Sequence, residues 1–164
     1  DVDVINEVPP SLYGRVRDSD RTQLVSGTGM FTLYMYLDHF RERVVFATGA
    51  DGQPLERNPI RDPRVRQAMN LALNRAALAE RAMEGGAEPM GQFAAPGFIG
   101  HDPSIGVAPF DPARARALLA EAGHPGGFNL TIQCTNDRFA GDARTCQAVA
   151  GMFTAVGIRT TVDA

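Results

Sequence analysis

The residues with the most chemical potential collect in one stretch: Cys134, then Asn136-Asp137-Arg138-Phe139, then Asp142 and Cys146. A thiol beside an imidazole could serve as a nucleophile, and His101 and His124 are the histidines that could activate Cys134. A cysteine on the inward side of a strand is more commonly a small buried hydrophobe, which weighs against that use. The two cysteines also admit a disulfide or two free thiols. A strand-to-helix connection would make them neighbours, and a bond requires their Cα atoms to approach to about 6 Å. Closing a loop of this size would contribute on the order of 3 kcal/mol, and only in an oxidising compartment.

Asn136 and Arg138 offer an amide and a planar guanidinium fork, groups suited to a carboxylate-bearing ligand. Asn and Asp also build turns readily. An Asx-type turn with Arg138 paired to Asp142 or Asp137 is the competing assignment, and residue types alone favour it. No Gly-x-Ser-x-Gly, phosphate loop or His-Glu-x-x-His occurs in the chain. A closed zinc site wants four ligands, whereas His39, His101 and His124 sit in separate loop-like segments, so neither a metal nor a cofactor is expected.

These residues must be carried by an α/β framework. Residues 128–134 alternate Phe, Leu, Ile and Cys with Asn, Thr and Gln, the pattern of a half-buried strand. A helix follows, with Asp142 available as its cap and Cys146, Val149, Ala150 and Phe153 on one face, and Gly157 ends it before a strand over 158–162. Strand, helix, strand is a βαβ unit with parallel strands. Asp62-Pro63 and Asp111-Pro112 each pair a capping carboxylate with a first-turn proline. The first opens a long helix with Val65, Met69, Ala72, Ala76, Ala79 and Met83 as its stripe, closed by Gly85-Gly86. The second opens a short helix with Ala115, Leu118, Leu119 and Ala122 buried and Gly123 after its end.

Upstream, Val2, Val4 and Ile5 suggest a short strand, and Ser11 a cap for a helix reaching Arg17. Residues 22–26 and 30–37 read as extended chain. Residues 38–60 form a loop with a possible strand at 44–47. Residues 88–109 carry too many prolines and glycines for regular structure, and the long loop they form holds Phe93 and Phe98, with Phe110 just beyond, rings expected to escape solvent.

The chain has 164 residues, 44% hydrophobic and 21% charged, which suits one domain with a real core. No stretch approaches the roughly 20 apolar residues of a membrane span. The formal net charge is -3 and the basic residues, all arginine, are scattered, so nucleic acid is not an expected partner. Both ends, at Asp1 and Ala164, read as cuts through a longer protein, whose bared surface would let the piece self-associate.

Taken as a set, the motifs Asp62-Pro-Arg-Val-Arg-Gln-Ala-Met-Asn-Leu-Ala-Leu-Asn-Arg75, Pro89 to Pro96, Asp111-Pro-Ala-Arg-Ala-Arg-Ala-Leu-Leu-Ala-Glu-Ala-Gly123, Thr135-Asn-Asp-Arg-Phe139 and Gly157-Ile158 resemble the extracytoplasmic solute-binding proteins of family 5. These are the oligopeptide, dipeptide and nickel-binding components of ABC importers. The resemblance implies a periplasmic-binding-protein type II-like lobe with a mixed, largely parallel sheet flanked by helices. It implies a periplasmic or membrane-associated receptor that closes two lobes on a peptide or other small carboxylated solute, delivers it to an ABC permease and catalyses nothing. Residues 1–37 would form a strand-helix-strand segment and interlobe crossover, and 38–164 the C-terminal ligand-binding lobe. Asn136 matches a pocket-facing position, Arg138 shares its loop, Met83 matches a helix position that reaches the ligand's far end, and Phe93 falls in a loop forming one wall. The family's tryptophan and acidic residue that meet a peptide's amino terminus have no counterpart here. Two other functions compete: the sensing lobe of a transcriptional regulator and a cysteine-dependent enzyme.

Overall fold

The computed structural model describes residues 3–27, 29, 31–136 and 138–164. Helices α1 (Tyr13–Arg17), α2 (Pro63–Ala72), α3 (Arg75–Ala77), α4 (Pro112–Glu121) and α5 (Asp142–Ala155) accompany strands β1 (Ala47–Gly49), β2 (Phe128–Gln133) and β3 (Ile158–Asp163). The sheet order is β1-β2-β3. β1 runs antiparallel to β2 over three residue pairs, and β2 runs parallel to β3 over the longer register from Phe128↔Ile158 to Gln133↔Asp163. The fold is α/β with a mixed sheet in which the parallel ladder is the longer one.

The period of two in β2 decides where the helices lie. Phe128, Leu130 and Ile132 are buried on one face, while Asn129, Thr131 and Gln133 point to the other. Val65, Ala68, Met69 and Ala72 of α2, Ala115, Leu118 and Leu119 of α4, and Val149, Ala150 and Phe153 of α5 all join the buried face in one cluster. Phe128 and Phe153 are its largest fully buried side chains, and burying a ring of that size is worth about 1.5–3 kcal/mol. Both Asp-Pro helix starts are capped as their residues dictate: Asp62 accepts from the Arg64 amide and Asp111 from the Arg114 amide, each at 2.8 Å.

Several elements differ from the sequence expectations. The long helix over 62–83 is broken at Leu73, which is extended at φ -88° and ψ 114°. Asn74 accepts from the Ala77 amide at 3.0 Å and starts a new turn, and the Arg75 guanidinium donates to the carbonyl of Asn70 at 3.2 Å. Local side-chain bonds thus compete with the helical ladder and win. A π-helical turn, Leu78–Ala82, completes the segment, and Ala76 is exposed rather than part of a buried stripe.

Val4 and Ile5 lie in no strand and are exposed, because no neighbouring strand among the described residues pairs with them; Val2 lies outside the described residues. Ser11 sits inside a 3-10 turn, Pro10–Leu12, that leads into α1 without any side-chain cap. Residues 31–37 form no strand either, and Met30 lies outside the described residues. The strand expected over 44–47 is displaced to Ala47–Gly49, where the turn closed by Gly49 N–H donating to the Gln53 carbonyl at 2.7 Å sets the pairing. Phe93, Phe98 and Phe110 remain exposed, since their Pro- and Gly-rich surroundings build no second layer over them.

Two glycines test how tightly the framework is drawn. Gly127, at φ +71°, leads into β2, and a Cβ there would meet the carbonyl oxygen of Gly157 at 1.8 Å. Gly151 lies exposed inside α5 with nothing near its Cβ position. Gly151→Ala should therefore raise the unfolding free energy by about 1 kcal/mol through helix propensity. Gly127→Ala should lower it by more than about 2 kcal/mol, through backbone strain and overlap together. Urea unfolding of the two variants beside the parent checks both signs.

Candidate ligand-binding site

At the carboxyl ends of β2 and β3 the chain leaves the sheet, the place where open α/β sheets expose their variable loops. The Cys134 amide donates to the Asp163 carbonyl at 2.8 Å, which carries the parallel ladder one step past β2. Cys134 is bonded to Cys146 in the second turn of α5, with Cα atoms 6.5 Å apart. Both sulfurs are thereby used, and no free thiol is present among the described residues.

The loop 135–141 closes on a single carboxylate. Asp142 is 3% exposed; one of its oxygens accepts from Thr135 Oγ1 at 2.8 Å and from the backbone amides of Arg138 at 3.1 Å and Phe139 at 3.2 Å. The other oxygen accepts from the Ala143 amide at 2.7 Å. Asp142 is therefore not the helix cap expected of it. Gly141, at φ +80°, occupies the cap position, and the Asp142 side chain turns back to hold the loop.

This arrangement also decides what Arg138 does. Its backbone, not its guanidinium, bonds Asp142, so the anticipated ion pair between them is absent. The guanidinium lies over the Phe139 ring at 5.2 Å and meets no carboxylate among the described residues; Asp137 lies outside them. Asn136 is exposed beside it. A guanidinium over a ring can still donate N–H bonds to an anion.

Met83 joins this loop from the far side. Thr145 Oγ1 donates to Met83 Sδ at 3.3 Å, and a Cβ on Gly141 would stand 3.1 Å from the same sulfur. Arg144 pairs with Glu84, tying the start of α5 to the turn after Met83. Met83, half-buried, thus packs against the end of the loop that carries Asn136 and Arg138. Phe93 stands apart from them. Residues 31–34 connect the two regions: Phe31 lies 6.5 Å from the Phe139 ring, Tyr34 meets Phe93 edge-on at 4.8 Å, and Thr32 Oγ1 donates to the Phe93 carbonyl at 3.1 Å.

Phe31 and Tyr34 are the residues of this surface that the sequence did not single out, and Asp142, buried beneath it, reads there as a helix cap or a partner for Arg138. The aromatic alternation over 31–36 was the available signal for the first two. Two shallow grooves lie elsewhere, one around His124, Gly126, Thr154 and Gly157 at the opposite end of the strands, the other on the polar face of the sheet. Burial holds the His124 imidazole below its ordinary range, with Asp62 pulling the other way. His101 has its Nδ1 within 3.0 Å of the Ala94 carbonyl. Among the described residues no group of three or more His, Cys, Asp or Glu is placed to hold a metal, and no helix is long and apolar enough to cross a membrane.

The Asp142 carboxyl is held below the usual carboxylate range, first by the Thr135 hydroxyl, against the opposing effect of burial, and further by the Phe139, Ala143 and Arg138 amides. A depressed native value means that its stabilisation is complete above the unfolded-state carboxylate value and disappears as pH falls through the native one. The amide resonances of Arg138 and Phe139 should shift with a midpoint below that of a free aspartate. Asp142→Asn should abolish this titration, and a pH series of heteronuclear NMR spectra reads both.

The chain has relatives among known proteins. The glutathione-binding protein GsiB of Escherichia coli (strain K12) is 36% identical over 106 residues, covering 65% of this chain and 20% of that protein. The solved structure of AgaA from A. tumefacien R10, in complex with agropinic acid, is 29% identical, with a TM-score of 0.59 over 65% of this chain and 22% of that one. The oligopeptide binding protein of Thermus thermophilus, complexed with a pentapeptide, is 28% identical, with a TM-score of 0.51 over 63% of this chain and 20% of that one. The chain spans about a fifth of the length of the curated relatives it matches. Residues 1–164 match the family described as bacterial extracellular solute-binding proteins, family 5 Middle. The chain belongs to that family.

Proposed function

We propose that this chain supplies one wall of an extracytoplasmic, periplasmic receptor that binds a peptide or another small carboxylated solute and delivers it to an ABC permease. The observation that carries this reading is the guanidinium of Arg138, held over the Phe139 ring by a loop anchored from behind, exposed, and paired with no carboxylate among the described residues. Asn136 beside it adds an amide, and Met83 closes the base with a soft apolar surface. Phe31, Tyr34 and Phe93 continue the wall. Residues 1–37 serve as the crossover toward a second lobe and 38–164 as the ligand-binding lobe, with Thr32 and Tyr34 of the crossover meeting Phe93 of the lobe.

The ligands of these relatives agree in chemistry. Glutathione, agropinic acid and a pentapeptide each carry a carboxylate, the group that an arginine fork recognises. Catalysis has no part in this reading: both sulfurs are tied in one bond, and closure on a solute needs no bond made or broken. Exposed Phe31, Tyr36, Phe40 and Ile99 would also let separate copies of this chain associate through apolar surface.

The test is binding by the full-length protein, followed by calorimetry or thermal shift. A free-acid dipeptide or S-methylglutathione should bind, and the matching C-terminal amides should bind at least about tenfold more weakly, as expected for loss of a charge-assisted hydrogen bond. Arg138→Ala should remove that preference for the acid. Equal affinity for acid and amide in the parent would defeat the assignment.

A further inference from the structure

We propose that the Cys134–Cys146 disulfide and Asp142 form a redox-sensitive latch that positions the loop 135–141, so that reduction of the bond weakens solute binding. The inference rests on the reading that Asn136 and Arg138 contact the solute. Three observations carry it. The disulfide joins the end of β2 to the second turn of α5, and Asn136 and Arg138 lie inside the ring it closes. Within that ring Asp142 binds the Thr135 hydroxyl and the amides of Arg138 and Phe139, whereas the Asn136 and Arg138 side chains donate to no other described residue. Both cysteines are only partly buried, so a reductant has a route to the bond.

Without the bond the loop is held between β2 and α5 by the Asp142 contacts, by the Phe31 ring near Phe139 and by the packing of Met83. The loop then samples shapes in which the Asp142 acceptors are released and the guanidinium leaves its place over Phe139. A receptor whose competent loop shape is populated only about a tenth of the time binds about tenfold more weakly. The opening step is thiol-disulfide exchange with a dithiol. One thiolate of the reductant attacks a cysteine sulfur, its second thiolate resolves the mixed disulfide, and two electrons pass to Cys134 and Cys146, which leave protonated while the dithiol becomes a disulfide.

The experiment uses the full-length protein in three forms: oxidised, reduced by dithiothreitol, and re-oxidised. S-methylglutathione is the probe because it has no free thiol. Reduction should raise its Kd about tenfold. It should also speed hydrogen exchange of the Arg138 and Phe139 amides by a similar factor, leave the amides of α2 and α4 unchanged, and be reversed by re-oxidation. The variant Cys134→Ser with Cys146→Ser should behave as the reduced form with or without dithiothreitol. Exchange at Arg138 and Phe139 that ignores reduction would overturn the latch. An affinity that falls with Arg138→Ala but not with reduction would overturn the latch and leave the receptor reading standing. Exchange that quickens on reduction while neither reduction nor Arg138→Ala changes Kd would overturn the receptor reading and, with it, the latch's role in binding.

Discussion

The parallel ladder between β2 and β3 can form only if the chain crosses back over the sheet between the two strands, and α5 is that crossing. Everything of interest at the candidate site follows from this constraint. A parallel pair places both strand ends at the same edge, so the loop that leaves β2 must turn there before α5 can begin. The apolar face of α5, with Val149, Ala150 and Phe153, then presses the crossing onto Phe128, Leu130 and Ile132. The helix cannot lift without uncovering the largest rings of the core, and the loop is stretched between two fixed points.

Between those points the local electrostatics is economical. One carboxylate, Asp142, takes up the polar groups of a loop that has no strand or helix to bond with. A carboxylate that accepts several N–H and O–H donors stays ionised well into acid. Its oxygens are taken up by one hydroxyl and three backbone amides, and it forms no ion pair with the exposed Arg138 side chain. The same geometry thus supports the loop and keeps its guanidinium available.

The legible part of this molecule was the part governed by short-range rules. Phe128 to Gln133 alternates without interruption, the Asp-Pro pairs cap α2 and α4, and the neighbourhood of Cys134 and Cys146 follows from a strand leading into a helix. The break after Ala72 was hidden because alanines and leucines continue the helical spacing across it, whereas Asn74 and Arg75 act through side-chain bonds that periodicity does not register. Val4, Ile5 and residues 31–37 alternate like strands, but alternation needs a partner strand before it becomes a sheet. At the site, Asn136 and Arg138 could be picked by residue type. The aromatic contacts of Phe31 and Tyr34 could not, because their partners, Phe139 and Phe93, lie far away along the chain. Asp142 was noticed for the wrong duty, since a carboxylate at a helix start reads as a cap whichever way it turns.

The meeting of Gly127 with Gly157 at the opposite edge of the sheet bears on the loop from a distance. A β-strand displaced by one position against its neighbour turns every side chain to the wrong face. With the two backbones in near contact where β2 and β3 begin, a slide that brought Phe128 to the place of Gly127 would drive a side chain against a carbonyl oxygen. The two strands therefore start level with each other, and over equal lengths they also finish level. The height at which Cys134 hands the chain to the loop is set, in this way, by a pair of residues that lack side chains altogether.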